Sequence, residues 1–428
     1  MVLFLLIFNT LLIASALFFT FRKNYRKHIA LIYVIIIQVF YLMFTPWYNY
    51  FDNDYFAFNR QLSHYDYGLG LFILFIHLFF FYFGYFLFDV KKNRSNYYSL
   101  DLVQRVNYEI GSKVSKFYFF LICIIAFNAI SGEINLYDIL VGKEESETLG
   151  FKGATNYISS FADSLIILFL MSIYFKSNKI LNIIFMTLTV ILFLILGFRY
   201  RLLLLAFGYM FIYIKTNFDS GRKVIKLVFL GFIFFFIFMF FSVNRINFYS
   251  QNYSKIVYNP IDFNYSSIRD NTQGSLVDFA IYKHLGEDKT NYDFGESMFI
   301  YPIIMVTPSS FFKNSEKPYP APQINTIDDA LGVPRSYGQA CTFLGMSFFG
   351  FSYFGIIVFS FLFGICISTW EIYQVSNVKL FFNLSFLLAF FQLYTRGYLG
   401  LFLLPLVYMI IAVILIKYKF SILKVKTK

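Results

Sequence analysis

The chain has 428 residues, 58% hydrophobic and only 14% charged, with a net charge of +12. Soluble domains carry about 25% charged residues, so a single water-soluble core is excluded and a polytopic membrane protein is implied. The basic excess does not require nucleic acid, because Lys and Arg accumulate in the cytoplasmic loops of membrane proteins.

A span needs about 20 apolar residues. Taken in chain order, spans are expected near 2–21, 29–47, 69–89, 116–131, 157–175, 180–197, 202–214, 227–243, 345–369, 379–395 and 398–416. The first run precedes its basic cluster (Arg22, Lys23, Arg26, Lys27), the reverse of a signal peptide, so it reads as a retained helix with its N-terminus outside. As one helix, 180–214 would extend about 52 Å at 1.5 Å per residue, far beyond a hydrocarbon core of about 30 Å. The break belongs at Gly197-Phe198-Arg199-Tyr200-Arg201. With that break, 22 of the 36 Lys and Arg residues fall in inside segments, and eight of the rest lie in one long outer loop. The C-terminal tail is then cytoplasmic. The organisation read from this is 1–243 with the first eight helices, a large extracytoplasmic loop at 244–340, and 341–428 with three helices and a basic tail.

The long loop carries ten of the 24 acidic residues. Ser275-Leu-Val-Asp278 followed by an apolar stretch reads as a capped short helix. The apolar patch Ser297–Val306 is too short to span and reads as lying on or dipping into the membrane surface. The remainder, with Pro318, Pro320, Pro322 and Pro334, reads as loop. Cys123, Cys341 and Cys366 show no metal or disulfide spacing.

Arg199, Arg201, Arg245 and Arg396 each stand at the edge of an apolar run, and the topology puts all four on the outer side. Charges at membrane edges usually have a partner or a task. Guanidinium groups present fixed, always-charged forks that match phosphate, so a lipid-linked pyrophosphate is the natural ligand; snorkelling to headgroups is the bland alternative. Asp163 could pair with an arginine, but its partner is not readable. His77, within a span, reads as a helix–helix hydrogen bonder.

The elements Tyr292-Asp-Phe-Gly295-Glu296-Ser297, Thr307-Pro308 through Lys317-Pro318, and Gly345, Gly350 and Gly355 entering the next helix come in that order, with Gly364 expected at that helix's end. Together with Gly197–Arg199 and Arg396-Gly397 they resemble the Wzy-type O-antigen and capsule polymerases over about 190–400. The Arg-x10-Gly pattern of some members is not carried over, since Gly345 falls one residue short of that spacing from Arg335. The resemblance implies an all-α polytopic fold of about eleven spans, similar to the GT-C enzymes. It also implies glycosyl transfer between undecaprenyl-pyrophosphate-linked donor and acceptor glycans at the outer face of a bacterial inner membrane. Arg199, Arg201 and Arg396, with Arg245, would act on the leaving pyrophosphate. Arg269, Arg335, Lys313 and Lys317 are further anion contacts. Asp270, Asp278, His284, Asp293 and Glu296 are candidate bases. No metal or other cofactor is expected; membrane lipid and a chain-length regulator protein are the expected partners. An O-antigen ligase and a lipid-linked-oligosaccharide transporter stand as the alternative functions.

Overall fold

A computed structural model of the chain describes residues 1–23, 25–92, 104–131, 161–175, 179–195, 199–217, 240, 243–244, 253–259, 272–287, 292–307, 309–312, 322–332, 340–371, 377–397 and 399–426. The expected span at 227–243 lies outside them but for residues 240 and 243.

The helices in chain order are α1 (Val2–Lys23), α2 (Ile29–Gln38), α3 (Phe44–Asp52), α4 (His64–Lys92), α5 (Gln104–Ser131), α6 (Ala162–Tyr174), α7 (Lys179–Ile195) and α8 (Arg199–Asn217). There follow α9 (Gly274–Glu287), α10 (Tyr301–Val306), α11 (Pro322–Leu331), α12 (Phe343–Thr369), α13 (Asn377–Arg396) and α14 (Leu399–Lys426). Among the described residues, one antiparallel hairpin, β1 (Phe56–Ala57) with β2 (Arg60–Gln61), interrupts otherwise helical structure. Among the described residues, four helical stretches are long and apolar enough to cross a membrane: Val2–Arg22, Ile29–Asp52, His64–Asp89 and Phe343–Thr369. Ala162–Tyr174, Ile180–Phe193 and Phe402–Ile416 are shorter apolar stretches. Helices suit such a sequence because no water in the bilayer can satisfy a backbone left unpaired.

Within Ile29–Asp52 a π-helical segment, Val39–Met43, joins α2 to α3. It lies just before Pro46, which has no N–H to offer the preceding turn, so the wider turn takes up the mismatch. α11 corrects the expectation of loop at 318–334. Pro322 occupies its first position, where a helix has no use for the missing N–H.

Contacts group the chain into two units. The first comprises Met1–Asn96, Arg269–Gln374 and Ala389–Leu403. In it α4 packs closely on α12. Gly84 lies against the Phe361 carbonyl, and Gly364 lies against the Phe81 carbonyl and the Tyr85 amide. A Cβ at either glycine would collide with backbone, so the small residues set this close approach. Gly364 is interior to α12, which continues to Thr369, rather than at its end as the sequence suggested.

α12 is not one straight span. Phe351 (φ −142°, ψ 17°) and Ser352 (φ 55°, ψ −146°) leave helical geometry. The Phe343 ring lies 4.3 Å from that of Phe363 and 6.1 Å from that of Phe359. An unbroken helix would separate Phe343 from Phe363 by about 30 Å. The first eight residues therefore double back along the rest, and the expected span at 345–369 becomes a half-helix followed by a longer apolar segment. Ser352 holds a conformation that costs a non-glycine residue about 1–3 kcal/mol. The turn is fastened by its neighbours: the Asp293 amide donates to the Phe349 carbonyl at 3.3 Å, and the Tyr292 hydroxyl donates to Ser352 Oγ at 3.4 Å.

A buried polar chain crosses this unit. Tyr82 Oη donates to Gln38 Oε1 (2.6 Å), and Gln38 Nε2 donates to Tyr394 Oη (3.0 Å). Tyr394 Oη pairs with His77 Nε2 (2.5 Å), and His77 Nδ1 pairs with Ser360 Oγ (2.7 Å). The chain supports the reading of His77 as a hydrogen bonder between helices. Beyond Tyr82, buried Glu371 accepts from Tyr85 Oη (2.8 Å) and from the Ala30 and Leu31 amides, closing the N-terminus of α2.

The second unit comprises Tyr97–Ile268, Val375–Leu388 and Leu404–Lys428. α7 stops at Ile195 and α8 starts at Arg199, so the chain breaks where the length argument puts it. The Tyr118 hydroxyl of α5 pairs with Thr189 of α7, and Tyr174 of α6 meets the Phe381 ring at 5.5 Å.

Candidate functional site

α9 is apolar around most of its circumference. Leu276, Val277, Phe279, Ala280, Ile281 and Leu285 are all buried, which makes it an internal helix rather than a surface one. Asp278 is carried into that interior with 1% of its surface exposed. Ser275 does not cap this helix, contrary to the sequence expectation: the helix begins one residue earlier, at Gly274, and Ser275 lies within its first turn. Asp278 turns away to another helix. It accepts from the Thr342 amide (2.8 Å), from the Thr342 hydroxyl (2.5 Å) and from the Gly345 amide. Thr342 is the N-cap of α12, its Oγ1 accepting from the Leu344 amide at 3.1 Å. Asp278 thus closes the positive end of the doubled-back half-helix. Gly345 is required there, because a Cβ would strike the carboxylate.

Burial raises the Asp278 carboxyl to about 7, against the lowering effect of its bonds from Thr342 and Gly345. A folded-state value above the ordinary 3.8 means that the folded protein binds this proton more tightly than the unfolded chain does. Stability from this group is complete below pH ~4 and is lost as pH rises through ~7, by about 4 kcal/mol in all. The detergent-solubilised protein should therefore lose thermal stability from pH 5 to 7.5. Asp278→Asn, which keeps the shape and cannot ionise, should flatten that dependence, as thermal unfolding followed across the pH range will show.

The end of α13 meets the same place. Tyr394 is pinned by Gln38 and His77, and two residues on Arg396 ends the helix with its side chain exposed. Gly397 follows at φ +64°, a left-handed helix end that glycine adopts without strain. A Cβ on it would lie 2.5 Å from the Thr342 carbonyl and 2.9 Å from that of Cys341. Asp278, Thr342 and Arg396-Gly397 are thereby brought together from positions remote in sequence. Tyr41 of the π-helical segment lies within electrostatic reach of Arg396.

The Tyr292–Ser297 element packs on the turn of α12. Gly295 (φ +86°) leaves only 2.6 Å between a hypothetical Cβ and Phe351 Cζ. Asp293 accepts from the Gly295 amide (2.9 Å) and the Ser297 amide (2.8 Å), which organises the π-helical segment Glu296–Ile300. Glu296 is exposed, and His284 is half-buried in the last turn of α9.

In the second unit Arg201 is buried, and so is its partner. Nε donates to Asp163 Oδ1 at 2.7 Å and Nη2 to Oδ2 at 3.3 Å, with the guanidinium 5.9 Å from the Phe193 ring. This is the partner of Asp163 that spacing does not reveal. Arg199 opens α8. Arg245, Arg269, Asp270, Lys313, Lys317 and Arg335 lie outside the described residues. Sequence reasoning passed over Thr342, Tyr394 and Gln38; a lone Gln within an apolar span was the one available signal.

No family model, no curated protein and no solved structure matches the chain.

Proposed function

We propose that the protein polymerises undecaprenyl-pyrophosphate-linked oligosaccharide repeat units into O-antigen or capsular polysaccharide. In this reading it has about eleven spans in a GT-C-like arrangement and works at the outer face of a bacterial inner membrane, with its C-terminus cytoplasmic. The observation that carries the reading is the convergence of Arg396-Gly397 with Asp278, Thr342 and the glycine-punctuated start of α12.

In the reaction the acceptor sugar hydroxyl attacks the anomeric carbon of the donor. The bond from that carbon to the pyrophosphate oxygen breaks, and its electron pair leaves with the lipid pyrophosphate. Exposed Arg396 meets the growing negative charge, a task suited to a guanidinium. For Arg199, which opens α8 in the second unit, the same chemistry is proposed from the sequence alone. Arg201 is given a structural role, because it is buried and its Nε and Nη2 are engaged by Asp163. Glu296, exposed beside the turn of α12, is the proposed acceptor of the hydroxyl proton, and Asp278 holds the half-helix in place. An apolar groove of about 400 Å³ between α1 and the π-helical segment, lined by Ile13, Val39, Met43, Trp47 and Phe51, suits a prenyl chain.

A second reading has a specific observation in its favour. Transporters bind substrate at discontinuous helices within the membrane, and α12 is discontinuous at Ser352. Deleting the gene separates the readings. Loss of a polymerase leaves single repeat units on the surface polysaccharide. Loss of a ligase leaves no repeat units attached, and loss of a transporter leaves lipid-linked units on the inner leaflet.

A further inference from the structure

The segment from Phe294 to Val306 has its faces inverted for a loop in water. Along the π-helical turn and α10, Ser297, Met298, Tyr301 and Pro302 are buried, while Phe299, Ile300 and Ile303 are exposed. Phe294, just before it, exposes 80% of its surface. Such a face has to be covered by something apolar, and its height in the first unit identifies the cover. α4 and the longer part of α12 run side by side in the same direction, with His77 bonded to Ser360 and the Phe81 carbonyl against Gly364. Keeping that register sets Phe351 level with Gly68, and Phe359 level with Ile76. Phe299 packs against both with tilted rings, 6.2 Å from the Phe351 ring and 6.0 Å from that of Phe359. It therefore lies at the height of the first apolar turns of α4, where Phe72 also faces outward.

We propose that residues 297–306 are inserted into the outer leaflet and that Phe299, Ile300 and Ile303 bind its acyl chains. The partner is bilayer hydrocarbon, continuous with the apolar belt formed by Phe72, Phe79 and Phe83 of α4. The charged end of the element, Glu296, precedes the inserted turn, so the segment runs from the polar boundary into the lipid. The proposal is independent of glycosyl transfer and stands or falls without it.

The test uses the full chain in phospholipid vesicles. Nitroxides are placed singly at Phe299→Cys and Ile303→Cys, in a Cys123→Ser, Cys366→Ser background, with Phe72→Cys and Glu287→Cys as references. Relaxation by dissolved oxygen should exceed relaxation by an aqueous nickel chelate at 299 and 303, as at 72, and the reverse should hold at 287. If the nickel chelate dominates at 299 and 303, the proposal is overturned. The unmodified protein gives a second reading should the labelled variants fold poorly. A diazirine dissolved in the lipid should label the 297–306 peptide on illumination, and an unlabelled peptide beside a labelled α4 would overturn insertion.

Discussion

Arg396→Ala is expected to lower chain elongation by about 100–1,000-fold, the effect of losing one charge-assisted contact made mainly in the transition state. The side chain is exposed at the end of α13, so its removal opens no cavity and the protein should insert and accumulate normally. Arg396→Lys should rescue poorly, because it keeps the charge and loses the fork. Arg199→Ala should behave alike. Polysaccharide length at native expression, read beside protein abundance in the membrane, checks both. Near-normal chains from either alanine variant would reject its assignment to the pyrophosphate.

The second large effect is on stability. Asp163 and Arg201 form a two-point buried pair. Removing either alone leaves an uncompensated charge, at a cost of about 3–5 kcal/mol. Asp163→Ala and Arg201→Ala should each lose most of the folded protein, seen as a lowered unfolding temperature in detergent. Replacing both, as Asp163→Leu with Arg201→Met, should restore folding and retain elongation, since apolar pairs of similar volume substitute well for buried ion pairs. A double variant that folds normally and does not elongate would return Arg201 to the substrate.

The two cases mark where sequence reading succeeds and where it stops. Hydropathy finds α1, α4 and the break before Arg199 because length and charge limit what a bilayer accepts. It is blind to the turn in α12, where the apolar run passes through Phe351-Ser352 without a proline or a charge. The reversal is set by contacts from Tyr292 and Asp293, far off in sequence. The Ser275-x-x-Asp278 spacing imitates a local capping box; once the chain is folded, the carboxylate serves Thr342 instead. α11 is hidden by the prolines around it, although Pro322 suits a helix start. Arg201 is visible as a charge beside an apolar run, yet nothing local names Asp163, 38 positions earlier, as its partner. Arg396 could be found from sequence; the Thr342 and Gly397 contacts that surround it could not.

The proposed glycosyl transfer, carried by arginine without a metal, is measured with purified protein and undecaprenyl-pyrophosphate-linked repeat units in vesicles. The expected result is a ladder of polymers, with undecaprenyl pyrophosphate released for each bond formed and no loss of rate in excess EDTA. A chain that binds the lipid-linked units and forms no glycosidic bond, or one whose elongation stops in EDTA and returns with Mg²⁺ or Mn²⁺, would contradict it.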